Sequence, residues 1–332
     1  MSVDVVVIHE HPEWQKPLFA ALERRGVSFA AFNVTEAAFS DTDVPDAVVY
    51  FNQASPSAYL RGNTRAVPLA LSFMRQLQWR GAKVLNGADV FAFELSKTAQ
   101  SALLQTMGID HPRGISFNSL AALRRRLSKG DVPGLVFPAL LKPEQGGSGA
   151  RITVVDSFDD VEGALKDDAV WTPDHLFVLQ EYLPHDPAVG IVRLEFVGGE
   201  LLYAMRVVSH GRFNLCPAPV CNPDDGGASA CAIPTPAERA AAEAAQKPVE
   251  FYPFPEVPDE AVATAKRIVK AAGIDVGGIE YLETNDGRRC FYDINANSNL
   301  RPSVAQAFGF DPFDRVVDFL VSEVTQQKSR TS

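Results

Sequence analysis

Apolar residues near the start of the chain come in short β-branched or aromatic runs separated by stretches with helical spacing. Residues 3–8 (VDVVVI) open the series, a helix-like stretch ends at Arg25-Gly26, and VSFAAFNV follows, which gives β-α-β order. Ala47 to Phe51 (AVVYF) reads as another buried strand. Leu69, Phe73 and Leu77 predict a helix over about 66–80, and Ala82 to Leu85 predicts a further strand. Strands alternating with helices imply a mainly parallel α/β sheet, whose ligands gather beyond the carboxyl ends of the strands. Residues 1–95 form this first lobe.

A helix is expected from Ser96 to Met107, with Leu103, Leu104 and Met107 on its apolar face and Gly108 ending it. The lobe 96–184 continues as α+β. It has a helix at 119–127, a strand at Ala139–Lys142, a Gly-rich turn, a strand at Arg151–Val155, a helix near 159–166 and a strand at Leu176–Gln180. The third lobe, 185–328, starts with strands Gly190–Val197 and Glu200–Val208, joined by the hairpin signal Gly198-Gly199. A Pro/Gly/Ala-rich passage follows at 216–258, with an Ala-rich helix expected at 236–246. Helix Asp259–Ala272, strands Gly278–Glu283 and Cys290–Ile294, and a helix from Pro312 onward complete the pattern. No internal repeat interrupts it.

Composition narrows the class. With 46% hydrophobic and 22% charged residues, the chain can bury a large core and is neither a disordered tail nor a fibre. Thirty-one basic against 41 acidic residues leave a net charge of −10, so there is no general attraction to nucleic acid or anionic lipid. The opening MSVDVVVIHE lacks a basic region and does not read as a secretory signal, and no run approaches the ~18 apolar residues of a membrane span. These features predict a cytoplasmic protein. Three of the four cysteines (Cys216, Cys221, Cys231, Cys290) cluster at 216–231, where no His completes a zinc set, so free thiols are expected.

Three segments carry chemistry. In PALLKPEQGGSGARITVV, residues 138–155, a strand delivers Lys142, the turn holds Gly146, Gly147 and Gly149, and a second strand leaves. Glycines let backbone N–H groups approach phosphate oxygens, and Lys142 adds a full charge. Both flanks are strands, unlike a Walker A loop or a dinucleotide fingerprint, which lead into helices. A Gly-rich hairpin folded over a nucleotide fits these residues, and so does an ordinary hairpin with a loose tip. In FVLQEYLP, residues 177–184, a strand ends at a connection between lobes, where backbone groups can pair with an adenine edge and Glu181 can accept from a ribose hydroxyl. In GGIEYLETNDGRRCFYDINANSNLRP, residues 277–302, two strands joined at Asn285-Asp286-Gly287 set Glu280 beside Asp293, with Asn295 on the face of Asp293. Two carboxylates and an amide oxygen suit Mg²⁺ held with phosphates. A solvated acidic hairpin is the plain alternative, but inward-facing carboxylates need partners.

Together these segments resemble the ATP-grasp superfamily, and more closely its carboxylate–amine ligases of the RimK and glutathione-synthetase type, over about residues 84–325. The resemblance implies an ATP-grasp fold with an N-terminal parallel α/β domain, a small central lid lobe and a C-terminal antiparallel-sheet lobe. By the same likeness Lys97 and Lys142 contact ATP, and Gln145, Gly146, Gly147, Ser148 and Gly149 form a mobile phosphate loop. Gln180, Glu181, Tyr182 and Leu183 hold the adenosine, Arg193 and Arg206 face the triphosphate and the reacting centre, and Glu280, Asp293 and Asn295 bind two Mg²⁺, with Mn²⁺ as a substitute. The implied reaction joins a small carboxylate to an amine through an acyl phosphate, and a homodimer comes with the family.

Several positions depart from the pattern. Ile191 replaces an acidic residue two before Arg193, Ala296-Asn297-Ser298-Asn299 replaces a small-Pro-Gly turn, and 216–258 is long and Pro-rich. These changes lie toward the substrates. A kinase-like or carboxylate–thiol variant and a non-catalytic nucleotide-binding module therefore stay open as alternatives. Candidate substrate contacts are His9, Glu10 and His11 after the first strand, Ser55, Ser57 and Arg61 after AVVYF, and Asn214, Ser298, Asn299 and Arg301 near the acidic hairpin. Arg61 reads more readily as a surface residue than as a partner of a substrate carboxylate, and Trp14, Trp79 and Trp171 as packing residues rather than a stacking platform.

Overall fold

The computed structural model describes residues 2–147, 149–171, 173–211, 213, 249–298 and 300–331, and their strands form three sheets. The first contains β1 (Val3–His9), β2 (Phe29–Asn33), β3 (Ala47–Gln53) and β4 (Lys83–Leu85), in the order β2-β1-β3-β4. All its pairings are parallel. Parallel strands are covered on both faces, which is why β1 is continuously apolar from Val5 to Ile8 rather than alternating. Val5 and Val7 pack with Leu18 and Leu22 of α1 (Pro12–Arg24), while Val6 and Ile8 pack with Phe73 and Leu77 of α2 (Ala66–Trp79).

After α3 (Ala88–Glu94) and α4 (Lys97–Thr106) comes the second sheet, built from β5 (Gly114–Phe117), β6 (Ala139–Pro143), β7 (Thr153–Val155) and β8 (Phe177–Glu181). Its order is β5-β8-β6-β7, antiparallel throughout. Helices α5 (Leu120–Ser128) and α6 (Phe158–Ala164) lie in the intervening chain, and their Leu123 and Val161 pack into a separate core with Phe117, Leu141 and Phe177. The Gly-rich turn does join two antiparallel strands, with Ala139 opposite Val155.

The third sheet runs β11-β10-β9-β12-β13, from β9 (Ile191–Val197), β10 (Glu200–Val208), β11 (Glu250–Pro253), β12 (Val276–Glu283) and β13 (Arg289–Asn295). Helix α7 (Asp259–Ala272) covers one face. Its Ala261, Ala265, Ile268 and Val269 pack with Val192, Leu194, Phe196, Ile279 and Tyr281. Period-two alternation then turns Arg193, Glu195 and Glu280 to the opposite face. After the short α8 (Pro302–Ala305) the chain ends in α9 (Pro312–Thr331). By chain order α9 belongs to the third lobe, but its Val316, Val317, Leu320 and Val324 share a core with Val5, Val7 and Phe51 of the first sheet. Lys328 also pairs with Asp4 at 2.7 Å. Helix α3 and strands β5 and β11 have no counterpart in the periodicity because they are only 7, 4 and 4 residues long. The helix expected at 236–246 and Cys216, Cys221 and Cys231 lie outside the described residues; Cys290 is a buried free thiol. No helix among the described residues is long and apolar enough to cross a membrane.

Candidate active site

A cleft of about 570 Å³ opens between the three sheets and collects most of the residues singled out in the sequence. Lys97 enters it from the first turn of α4, whose N-cap Ser96 accepts from Ala99 N at 3.0 Å. Lys142 enters from the end of β6. Glu144, two residues later and 5% exposed, ties the two together: it accepts from the Ser96 hydroxyl at 2.6 Å and from Thr98 N at 3.0 Å. Sequence reasoning passed over Glu144, although an acidic residue closing an apolar strand is a recognisable sign of a buried partner.

Lys142 donates to Gln180 Oε1 at 2.7 Å, and its pKa is pushed down to about 8 by burial and by the neighbouring Lys97 ammonium. Lys97 is paired with Asp293. Burial alone would lower its pKa, but the Asp293 charge and hydrogen bond outweigh it and the net shift is upward. Asp293 is drawn down correspondingly: burial opposes its charge, and Lys97 prevails. Two cations of one cleft, one of them held reluctantly, make a receptor for an anion with more than one charge.

The acidic hairpin forms as expected, with Glu280 in register with Asp293. The register then shifts, so that Tyr281 faces Phe291 and Tyr292 is the extra residue of a bulge. This irregularity brings Tyr292 and Asp293 both to the cleft, where Tyr292 OH donates to Glu280 Oε2 at 3.0 Å. Asn295 Nδ2 donates to Asp293 Oδ2 at 3.1 Å. Arg193 donates from Nε to Glu195 Oε1 at 2.6 Å and from Nη1 to Glu280 Oε1 at 2.8 Å. Burial and Asp293 raise the Glu280 pKa, and Arg193 and Tyr292 only partly offset this. Glu195, fully buried, also accepts from the Ser298 hydroxyl. It supplies from the far side of Arg193 the acidic partner missing at Ile191. Gly278 is needed here, since a Cβ at that position would sit 2.5 Å from Arg193 Nη2.

The donor set of Glu280, Asp293 and Asn295 is all oxygen and faces the two lysines, which fits Mg²⁺. Among the described residues no group of three or more His, Cys, Asp or Glu side chains gathers to hold a metal by itself. Two carboxylates and an amide suit an ion whose remaining ligands arrive with phosphates.

No family model matches the chain. Part of it is similar to the arginine-specific large chain of carbamoyl phosphate synthase from Eremothecium gossypii, at 27% identity over 132 residues. That stretch is 39% of this chain and 11% of the relative, so the chain spans about a tenth of that protein's length. Among solved structures, the ATP-grasp ligase PsnB complexed with a minimal precursor superposes with a TM-score of 0.65 at 17% identity, over 97% of this chain and all (100%) of that one. D-alanine–D-alanine ligase from Bacillus anthracis, complexed with ATP, gives 0.65 at 14% identity with 100% of each chain covered. A RimK-domain ATP-grasp protein from Sphaerobacter thermophilus gives 0.62 at 16%, over 95% and 98%. The chain has the ATP-grasp fold.

Within this ATP-grasp cleft, Gln180, Glu181, Tyr182 and Leu183 line the wall at the connection between lobes. The Glu181 carboxylate is already engaged, accepting from Arg113 N at 3.1 Å and Arg288 Nη2 at 3.4 Å. Gly146, Gly147 and Gly149 line the cleft from the hairpin tip, and Gln145 donates to the Pro56 carbonyl at 3.1 Å. The tip thus rests on the first lobe, where a Cβ on Gly147 would lie 2.5 Å from Ser57 Cβ.

Some expectations are corrected. Arg206 does not face the cleft: Met205 and Val207 line it, so strand alternation turns Arg206 to the other face, where it stacks 4.1 Å over Phe254. Arg61 is not a surface residue, and it does not line the cleft. It is buried against Glu10, with Ser57 accepting at 3.1 Å and Trp14 4.4 Å away. His9, Glu10 and His11 are likewise not part of the lining, whereas Ser55, Ser57 and Trp14 are. Trp79 is exposed and Trp171 packs edge-on against Phe177. Ser298 and Arg301 line the cleft, the latter 4.1 Å over Phe251. Ser148, Asn214 and Asn299 lie outside the described residues. One cleft residue had no sequence signal beyond its place before Lys97. Glu94 is 5% exposed, accepts from Asn297 N at 2.9 Å, and has its pKa pushed up to about 8 by burial.

Proposed function

We propose that this protein is an ATP- and Mg²⁺-dependent carboxylate–amine ligase that forms an amide between small amino-acid-like substrates. The observation that carries the reading is the convergence of Lys97, Lys142, Arg193 and the Glu280/Asp293/Asn295 face in a single cleft. The wide coverage by ligases of this fold, some holding ADP and Mg or a precursor peptide, supports it.

On this reading ATP lies with its adenosine against residues 180–183 and its phosphates under the hairpin tip. Lys97 and Lys142 neutralise phosphate charge, and Arg193 stabilises the charge that develops on the transferring group. Glu280, Asp293 and Asn295 would hold two Mg²⁺, for which Mn²⁺ can substitute, and the ions supply further charge neutralisation when bound. The substrate carboxylate attacks the γ-phosphorus, releasing ADP and giving an acyl phosphate. The amine then displaces phosphate. Closure of the tip of residues 145–149 over the cleft keeps water from that intermediate. Ser298 and Arg301 lie on the substrate side, with Asn214 and Asn299 as further candidates. A cytoplasmic location and a homodimer complete the reading.

Screening pairs of carboxylic acids and amines for release of ADP tests it. Release that needs both an acid and an amine supports a ligase, release with an alcohol or thiol in place of the amine supports the kinase-like or thioester alternative, and none with any acceptor supports a binding module. Asp293→Ala should abolish ADP formation in a folded chain, as judged by circular dichroism; normal turnover would remove the metal assignment.

A further inference from the structure

Strand β13 carries Asp293 and Asn295 and is the outermost strand of its sheet among the described residues, none of which supplies a strand to its outer edge. Buried backbone groups nevertheless need partners. At Ile294, between the two proposed ligands, both backbone groups are taken by one side chain. Gln100 Nε2 donates to the Ile294 carbonyl at 3.0 Å, and Ile294 N donates to Gln100 Oε1 at 3.2 Å. The carboxamide thus presents the donor and acceptor that an adjacent strand would offer. Its Nε2 also reaches the Glu94 carbonyl at 3.1 Å, and Gln100 is 1% exposed. On either side the edge is held in the same manner: Phe291 N donates to the Asp110 carbonyl at 2.9 Å, and Asn86 Nδ2 donates to the Ala296 carbonyl at 2.6 Å.

Gln100 sits on α4 three residues after Lys97, the side chain paired with Asp293. One helix therefore delivers both a cation to the acidic face and the clamp on the strand that bears it. We propose that Gln100 is a positioning residue for the metal: its paired bonds to Ile294 hold Asp293 and Asn295 in the register in which both present oxygen to a divalent cation. The inference rests on the nucleotide–Mg²⁺ reading of the cleft. Groups that orient ligands from behind commonly change metal affinity by about 10- to 100-fold when removed.

The test uses the full chain and ADP as probe, with binding followed as Mg²⁺ is titrated and separately in chelator. Gln100→Met keeps the length and apolar bulk and removes the two bonds to Ile294 together with the one to the Glu94 carbonyl, while Gln100→Asn keeps the amide and falls one methylene short. Leu104→Ala, one turn along the same helix and 1% exposed, is the control for plain loss of packing. The expected result is a rise of about 10-fold or more in the Mg²⁺ needed for half-maximal ADP binding in both Gln100 variants. Their ADP affinity in chelator should stay unchanged, and Leu104→Ala should lower Tm without moving the Mg²⁺ requirement. If Gln100→Met fails to fold, Gln100→Asn decides. Mg²⁺-dependent binding in the wild type that neither Gln100 variant shifts overturns the inference alone. A wild-type chain with no Mg²⁺-dependent ADP binding overturns the reading of the cleft, and the inference with it.

Discussion

Replacing Glu94 by glutamine should change the stability by an amount that becomes steadily more favourable as pH rises from mild acid to neutral and beyond. Glu94 is 5% exposed; one carboxyl oxygen accepts from Asn297 N, and the other is buried without a partner among the described residues. Burial pushes its pKa from 4.5 up to about 8. A carboxyl whose pKa rises on folding binds its proton more tightly in the native state than in the unfolded chain. Stability is therefore greatest below the unfolded value and is lost as pH rises towards the folded one. The span from 4.5 to about 8 corresponds to on the order of 5 kcal/mol. Glutamine keeps the acceptor for Asn297 and cannot ionise, but it carries an extra N–H group whose burial without an acceptor costs ~1–3 kcal/mol. Urea unfolding followed by tryptophan fluorescence at several values between about pH 5 and pH 8 should show the Glu94→Gln advantage growing with pH by a few kcal/mol. An offset that stays constant over that range would refute the reasoning, because a Glu94 that keeps its ordinary pKa on folding produces no slope.

Other perturbations address the neighbouring charges. Arg193→Met leaves Glu195 and Glu280 buried without their cation, so we expect a loss of about 3–5 kcal/mol in urea unfolding that shrinks in acid, where the carboxyls take up protons. Because burial and Lys97 depress the Lys142 pKa to about 8, the charged form that we propose receives phosphate is lost above that pH. ADP affinity measured by calorimetry should accordingly fall from pH 7 to pH 9, and Lys142→Met should bind weakly at both values with a smaller dependence on pH. Gly147→Val places carbon against Ser57 and should keep the hairpin tip off the first lobe. Limited proteolysis near residues 145–149 should then be faster than in the wild type and less slowed by ATP with Mg²⁺.

The cleft was legible in the sequence to different depths. Lys142, the glycines after it, and the acidic hairpin could be read locally because each sits in a short strand–turn–strand unit whose pairing follows from alternation and turn residues. Glu280 and Asp293 face each other for that reason alone. Arg206 misled because a strand of nine residues fixes which residues share a face but not which face meets the cleft. Only the packing of α7 against β9 and β12 settles that. Glu144, Glu94 and Gln100 carry no motif; their roles arise from partners 46 to 203 positions away, such as Thr98 for Glu144, Ile294 for Gln100 and Asn297 for Glu94.

By itself the sequence determined the order of the longer strands and helices, the Gly-rich hairpin and the carboxylate pair, since these depend on periodicity and turn chemistry within short stretches. Tertiary structure decided the rest. It carried α9 back onto the first sheet, sealed Arg61 against Glu10, and set Lys97 from one lobe on Asp293 from another. The reason is that a buried charge or an open strand edge must find a partner wherever the fold supplies one, and separation along the chain does not tell where that is.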